Sequence, residues 1–277
     1  MLETFTIILT VLIFALVFVR AYTRITDRIR LIRALDVITQ LRSLIGNLQR
    51  HRGLSVGYLN GNLRVEPLII ELRQKIDLGI VNLDKDDVFN KQSRWLSFID
   101  HWPRLEKNGF SLTIAESFTQ HTSLIENLLR LMEVAADDWK KTHKLPREIL
   151  DLQCIWKELP MAVEFIGQAR SIGIAVASSG EITNMDKNKL KYLEQKIQEY
   201  SMTSFSLLAG LSNEESKRLI VEARNACKIL TETIKQELIQ PTDINIDGDS
   251  YFTMASNTME SMNSLLDNEI KRIKAYT

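Results

Sequence analysis

Residues 44–61 read LIGNLQRHRGLSVGYLNG, and the reading of this stretch decides the fold. With Leu41 just before it, the apolar residues recur at alternating steps of four and three: Leu41, Ile45, Leu48, then positions 52 and 55, then Leu59. That rhythm is the core-facing stripe of a helix. Position 52, however, is Arg52, and position 55 is Ser55. A guanidinium on a core stripe is costly unless something anionic meets it. A second row, Gly46, Arg50, Gly53 and Gly57, runs beside the first. Glycine costs about 1 kcal/mol in a helix interior, so this row asks for a closely approaching helix or ligand. Arg50 lies about 200° round the helix from Arg52, so the two address different neighbours.

Toward the N-terminus, residues 5–19 (FTIILTVLIFALVFV) are apolar or threonine. A membrane span needs about 20 residues, and Leu2, Thr4, Ala21 and Tyr22 extend the run far enough. A cleaved signal peptide is the rival reading. It would call for a basic start and a small-residue cleavage site, and neither is present. An uncleaved anchor over residues 1–24 is therefore expected. Arg20, Arg24, Arg28, Arg30 and Arg33 follow the run. The positive-inside rule then predicts a single-pass protein of the inner (cytoplasmic) membrane with its bulk in the cytoplasm.

Toward the C-terminus the pattern stays helical. The first helix is expected to continue unbroken from the anchor to about Asn60. Others are expected after Pro67, over about 86–107 with a kink at Pro103, and over about 112–141. A fifth should open at Pro146 and run to about Ser179, bending at Pro160. The last three should cover about 186–211, a stretch from a capping box at Ser212 and Glu215 to just before Pro241, and 250 to the end. No window alternates with period two. The expected class is all-α: an N-terminal transmembrane helix followed by two up-down four-helix bundles, eight helices in all, over residues 25–143 and 144–277.

Two bundles are expected because the halves repeat. Leu159, Val163, Ile166, position 170, Gly173 and Ala177 restate the first stripe 118 residues on (170 less 52). Position 170 is again arginine, and each arginine is followed three residues later by a small residue. SFTQHTSLIENLLRL at 117–131 likewise aligns with YFTMASNTMESMNSL at 251–265.

Composition removes several functions. The 277 residues are 45% hydrophobic and 25% charged, with 35 basic and 35 acidic residues. A net charge of zero does not suggest nucleic acid as the main partner. Cys154 and Cys227 are far apart and read as buried free thiols. Residues 243–249 begin like a calcium loop, but loop position 12 is Met254 where a bidentate carboxylate is needed. They read as a polar loop capping the last helix. His51, His101, His121 and His143 lack ligand spacing and read as surface or core-edge residues. Trp95, Trp102, Trp139 and Trp156 read as core, and Arg104 and Arg224 as exposed ion pairs. No phosphate loop, dinucleotide fingerprint or nucleophile elbow appears. Neither an enzyme, a cofactor nor a metal centre is expected.

The run Leu44-Ile45-x-x-Leu48-Gln49-x-x-Arg52-Gly53-Leu54-Ser55-x-Gly57-Tyr58-Leu59 resembles the LQ-x-E-R-G-L-S-x-G-Y-L signature of the nitrate- and nitrite-sensing (NIT) domain family. His51 stands where that signature has Glu. Weaker likenesses occur at Trp102-Pro103-Arg104-Leu105, from His121 to Leu129, from Ala169 to Gly173, and from Tyr251 to Met262. Together they cover roughly residues 35–275. The resemblance implies an anion site built from arginines on two equivalent helices, here Arg50 or Arg52 together with Arg170. Guanidinium forks suit a planar oxyanion such as nitrate or nitrite. No output segment is legible up to residue 277, so a signal is expected to pass to an unidentified partner protein, with a homodimer as one form of that. The competing reading is a helical scaffold or adaptor that binds no small molecule. Its arginines would pair with internal carboxylates such as Glu164.

Overall fold

The structure is a computed structural model that describes residues 2–85, 90–142, 154–210 and 213–276. Among these residues there are eight α-helices and no strand: α1 (Leu2–Leu59), α2 (Glu66–Leu83), α3 (Ser93–Asn108), α4 (Ile114–Thr142), α5 (Leu159–Ser179), α6 (Asn184–Ala209), α7 (Glu214–Thr233) and α8 (Gly248–Tyr276). In the first half α1 packs on α2 and α4, and α3 on α4. In the second half α5 packs on α6 and α8, and α7 on both of those. The halves meet through α1, α4 and α5, and one continuous apolar core runs from Leu31 to Ile273.

α1 is a single helix of 58 residues, about 87 Å long at 1.5 Å per residue. Its first part is apolar enough to cross a membrane, with a mean hydropathy of 2.4 in a window of which none is buried. Leu31 is its first buried residue, and from there Leu35, Ile38, Leu41, Ile45 and Leu48 enter the core. The four-and-three rhythm thus carries straight into packing.

Local chemistry sets the ends of the helices. α4 opens with a reciprocal capping box: Thr113 Oγ1 accepts from Glu116 N at 3.2 Å, and Glu116 Oε2 accepts from Thr113 N at 2.9 Å. Thr183 caps α6 and Asp247 Oδ1 accepts from Ser250 N at 2.9 Å in α8, so the acidic loop does cap the last helix. Gly180 closes α5 at φ 69°, a left-handed conformation open to glycine at little cost.

Several boundaries differ from the sequence expectations. α3 starts at Ser93, not near 86, because a turn occupies residues 90–91. α7 is capped by Asn213, whose side chain accepts from the Ser216 amide; the expected cap, Ser212, lies outside the described residues. Pro146, the 143–144 boundary and His143 also lie outside them. The described part of the fifth helix begins with a π-turn at Cys154–Glu158 that runs straight into α5. Pro160 follows it by two residues, where a regular α-helical ladder would call for an N–H that proline lacks. Pro103 lies inside α3.

Both cysteines are buried thiols outside any disulfide, and Cys154 Sγ donates to the Ser204 carbonyl at 3.7 Å. Trp95, Trp102 and Trp156 are core residues; the Trp95 and Trp102 indoles donate to Asp84 and Asp77 at 2.9 Å each. The Trp139 side chain lies outside the described set. Arg104 makes the expected exposed pair with Asp100 at 2.8 Å. Arg224 instead lies 5.5 Å over the Phe205 ring.

Candidate anion site

α1 and α5 cross where both carry glycine and arginine. Arg52 reaches over Gly167 of α5, where an added Cβ would stand 3.0 Å from Nη2. Arg170 reaches back over Gly53 of α1, where an added Cβ would stand 3.8 Å from its Nη2. Of the α1 glycine row only Gly53 has such a neighbour, and it is a guanidinium; a Cβ at Gly46 or Gly57 would meet no atom within 4 Å.

The two arginines sit in matching frames. Arg52 Nη1 donates to Thr122 Oγ1 at 3.0 Å, and its guanidinium lies 5.4 Å over Phe118. Arg170 Nη1 donates to Ser256 Oγ at 3.0 Å, and its guanidinium lies 5.4 Å over Phe252. Phe118 and Phe252, like Thr122 and Ser256, are equivalent positions of α4 and α8. The internal repeat is thus a repeat of arginine cradles: hydroxyl on one side, aromatic face on the other.

The repeat breaks at one residue. Glu164 of α5 receives Arg52 on both oxygens, Nη1 to Oε1 at 2.6 Å and Nη2 to Oε2 at 3.2 Å. Gln49 and Gln168 each donate to the same carboxylate at 2.9 Å. Arg52 and Glu164 are almost wholly buried, and only the Arg52 Nε lacks a partner. Counting back 118 residues, the position of α1 equivalent to Glu164 is Gly46. No carboxylate stands there to meet Arg170. Among the described residues Arg170 makes no ion pair. Burial, and then repulsion from Arg52, lower its pKa, with Glu164 opposing. One cradle is therefore neutralised from within, and the other holds an uncompensated cation.

That cation opens onto a groove of about 820 Å³ between the last turns of α1 and the second half of α5. Arg50 is exposed and lines the same groove. The structure thus brings Arg50 and Arg170 to one opening and turns Arg52 inward to Glu164.

Behind Arg52 lies a second polar layer that contradicts the surface or core-edge reading of two histidines. His51 and His121 are fully buried, with Nδ1 of one 2.7 Å from Nε2 of the other. The Ser117 carbonyl can only accept, so the His121 Nδ1 2.7 Å away carries the proton and its Nε2 accepts from His51 Nδ1. His51 Nε2 is then left to accept from Arg73 Nε at 3.4 Å. Both rings are neutral in this chain. Burial, their mutual repulsion and Arg73 depress His51 to about 3, and burial depresses His121 to about 4. The chain of donors needs atoms from α1, α2 and α4 together, so nothing along the sequence signals it.

Tyr251 accounts for the small residue after Arg170. Its ring occupies the space where a Gly173 Cβ would project, and its hydroxyl donates to the Ala169 carbonyl at 3.1 Å. No three His, Cys, Asp or Glu side chains converge as metal ligands among the described residues.

Comparison with known proteins places this arrangement. No curated protein sequence matches the chain. The solved structure of the NasR transcription antiterminator is similar, with a TM-score of 0.68 and 16% identity over 94% of this chain and 72% of that one. At that identity the likeness concerns the fold. The sequence profile of the nitrate and nitrite sensing family matches residues 43–274, from the turn before Arg50 almost to the end of α8, and on that match the chain belongs to the NIT family.

Proposed function

We propose that the protein binds nitrate or nitrite in the α1–α5 groove and reports its occupancy through α1, without catalysis. The observation that carries this reading is Arg170: a largely buried guanidinium that lacks the carboxylate its counterpart has. A planar oxyanion on Arg170 and Arg50 would supply the missing charge through forked hydrogen bonds. Bridging α1 to α5 favours whichever spacing of the two helices the anion fits best. α1 runs on without a break into the apolar segment, which acts as a single-pass anchor in the cytoplasmic membrane with the bundles on the cytoplasmic side. The signal passes from there to a partner protein or a second copy of the chain. The closed Arg52–Glu164 pair favours a second reading, a scaffold with no ligand, because a carboxylate of the protein itself already neutralises that arginine.

The test is a thermal melt of the full-length protein in detergent, in nitrate and in chloride at equal ionic strength. At a hundredfold excess over Kd a ligand of the folded state adds about 2.7 kcal/mol. At 2–4 °C per kcal/mol for a domain of this size, the melting temperature should rise by roughly 5–10 °C. Arg170→Met should remove the rise and Arg50→Met should reduce it. Equal melting in both salts would leave the scaffold reading in possession.

A further inference from the structure

The groove is far larger than the anion. Nitrate occupies little more space than one or two waters, at ~30 Å³ each, whereas the groove measures about 820 Å³. Its charge is confined to one end, at Arg50 and Arg170. Beyond them the walls are mainly apolar, with Leu54, Val65, Leu68, Ile114, Ile174 and Phe252 outweighing the polar side chains of the asparagines at 60 and 62 and the serines of α5. Leu68, Ile114 and Phe252 are 50%, 41% and 47% exposed, so large apolar side chains from three different helices line an opening that none of the described residues fills. Gly57 lies in the lining, and an added Cβ there would meet no atom within 4 Å. Along α5 the groove extends from Arg170 to Ser178, about 12 Å by helical rise. An extended alkyl chain with ~1.5 Å carbon–carbon bonds advances about 1.25 Å per bond and spans that distance in roughly ten carbons, the carboxylate carbon included.

We infer that this groove takes an amphipathic organic monoanion, with a planar carboxylate on Arg170 and Arg50 and an apolar body of about eight carbons lying along α5 toward Ser178. The inference rests on the same two arginines as the nitrate reading and adds the ligand class that the rest of the groove fits. The source is a water-soluble acid and not a bilayer lipid. Arg50 is 28 residues beyond Tyr22, about 42 Å along α1 from the end of the apolar run.

Calorimetric titration of the full-length protein with acetate, butanoate, hexanoate and octanoate tests this, with nitrate as a separate arm. Octanoate should bind at least tenfold more tightly than acetate. Each buried methylene should tighten binding two- to fourfold. Gly57→Leu and Ala175→Leu fill the groove from opposite walls and leave both arginines in place. Each should weaken octanoate at least tenfold and leave nitrate unchanged, which separates the groove from uptake of octanoate by detergent. Acetate and octanoate binding alike, or a chain-length gain unaffected by both substitutions, overturns the inference even if nitrate binds. Octanoate binding that needs Arg170 and an open groove, with no response to nitrate, upholds it and retires the nitrate reading.

Discussion

Replacing Glu164 with glutamine isolates the internal charge pair. Glu164→Gln keeps the shape and one acceptor oxygen but removes the charge that faces Arg52. The Arg52 side chain is 1% exposed and that of Glu164 is 0%, so water cannot take the carboxylate's place. Breaking a buried pair by removing one partner costs about 3–5 kcal/mol, because the remaining charge is stranded. Gln49 and Gln168, which donate to the carboxylate, would also face an amide that both donates and accepts. At 2–4 °C per kcal/mol the melting temperature in chloride should fall by roughly 6–20 °C. Removing both partners in Arg52→Met with Glu164→Met should recover most of that loss, since a well-packed apolar replacement of a buried pair is often neutral or stabilising. Thermal melts of wild type, Arg52→Met, Glu164→Met and the double variant form the cycle. Nitrate should stabilise Glu164→Gln no more than the wild type, because the glutamine still fills the buried space beside Arg52. A Glu164→Gln melting temperature within about 2 °C of wild type, or a double variant as unstable as the single, would refute the reasoning.

Gly173→Ala should cost about 1–3 kcal/mol, because the new methyl displaces the Tyr251 ring and its hydrogen bond to Ala169; the readout is a lower denaturant midpoint at unchanged slope. The buried histidine pair should make the protein acid-sensitive. Folded values of about 3 and about 4 lie below the unfolded value of about 6.5, so the unfolded chain binds more protons and stability rises with pH. Their contribution is complete above pH 6.5 and is lost progressively as pH falls toward 4 and then 3. Melts from pH 7 to 4 should show a shallower decline for His121→Gln than for wild type, and parallel curves would show that other groups control the acid limb.

The arginines announced themselves in the sequence because a charged residue in the phase of a core stripe is conspicuous. Arg52 at that phase, and Arg170 repeating it, mark the two equivalent helices from which the site is built. The alignment of 117–131 with 251–265 already contained the cradle pairs Phe118 with Phe252 and Thr122 with Ser256. What distinguishes the two cradles was not legible. It depends on Glu164 crossing from one half to the other, 112 residues from Arg52, and on Gly46 standing where a second carboxylate would be. The histidines were misread for a related reason. Burying an imidazole requires partners for both nitrogens, and here each ring depends on the other across α1 and α4, with Ser117 one turn from His121 on α4 and Arg73 on α2. Helix ends missed by a few residues reflect competing caps: Asn213 and Ser212 are adjacent and equally suited by type, and only the geometry selects between them.

The unbroken length of α1 has a consequence for phase. An α-helix turns about 100° per residue, so 36 residues complete about ten turns. Phe14, 72% exposed in the apolar segment, is 36 positions before Arg50 and therefore points in the same direction. Whatever lies against the Phe14 side of the apolar segment lies on the groove side of the bundle. The azimuth of the binding face is thus written into the residue count between the two. One residue inserted after Thr23 would swing the groove by about 100° about the helix axis, and seven would bring it back to within about 20°.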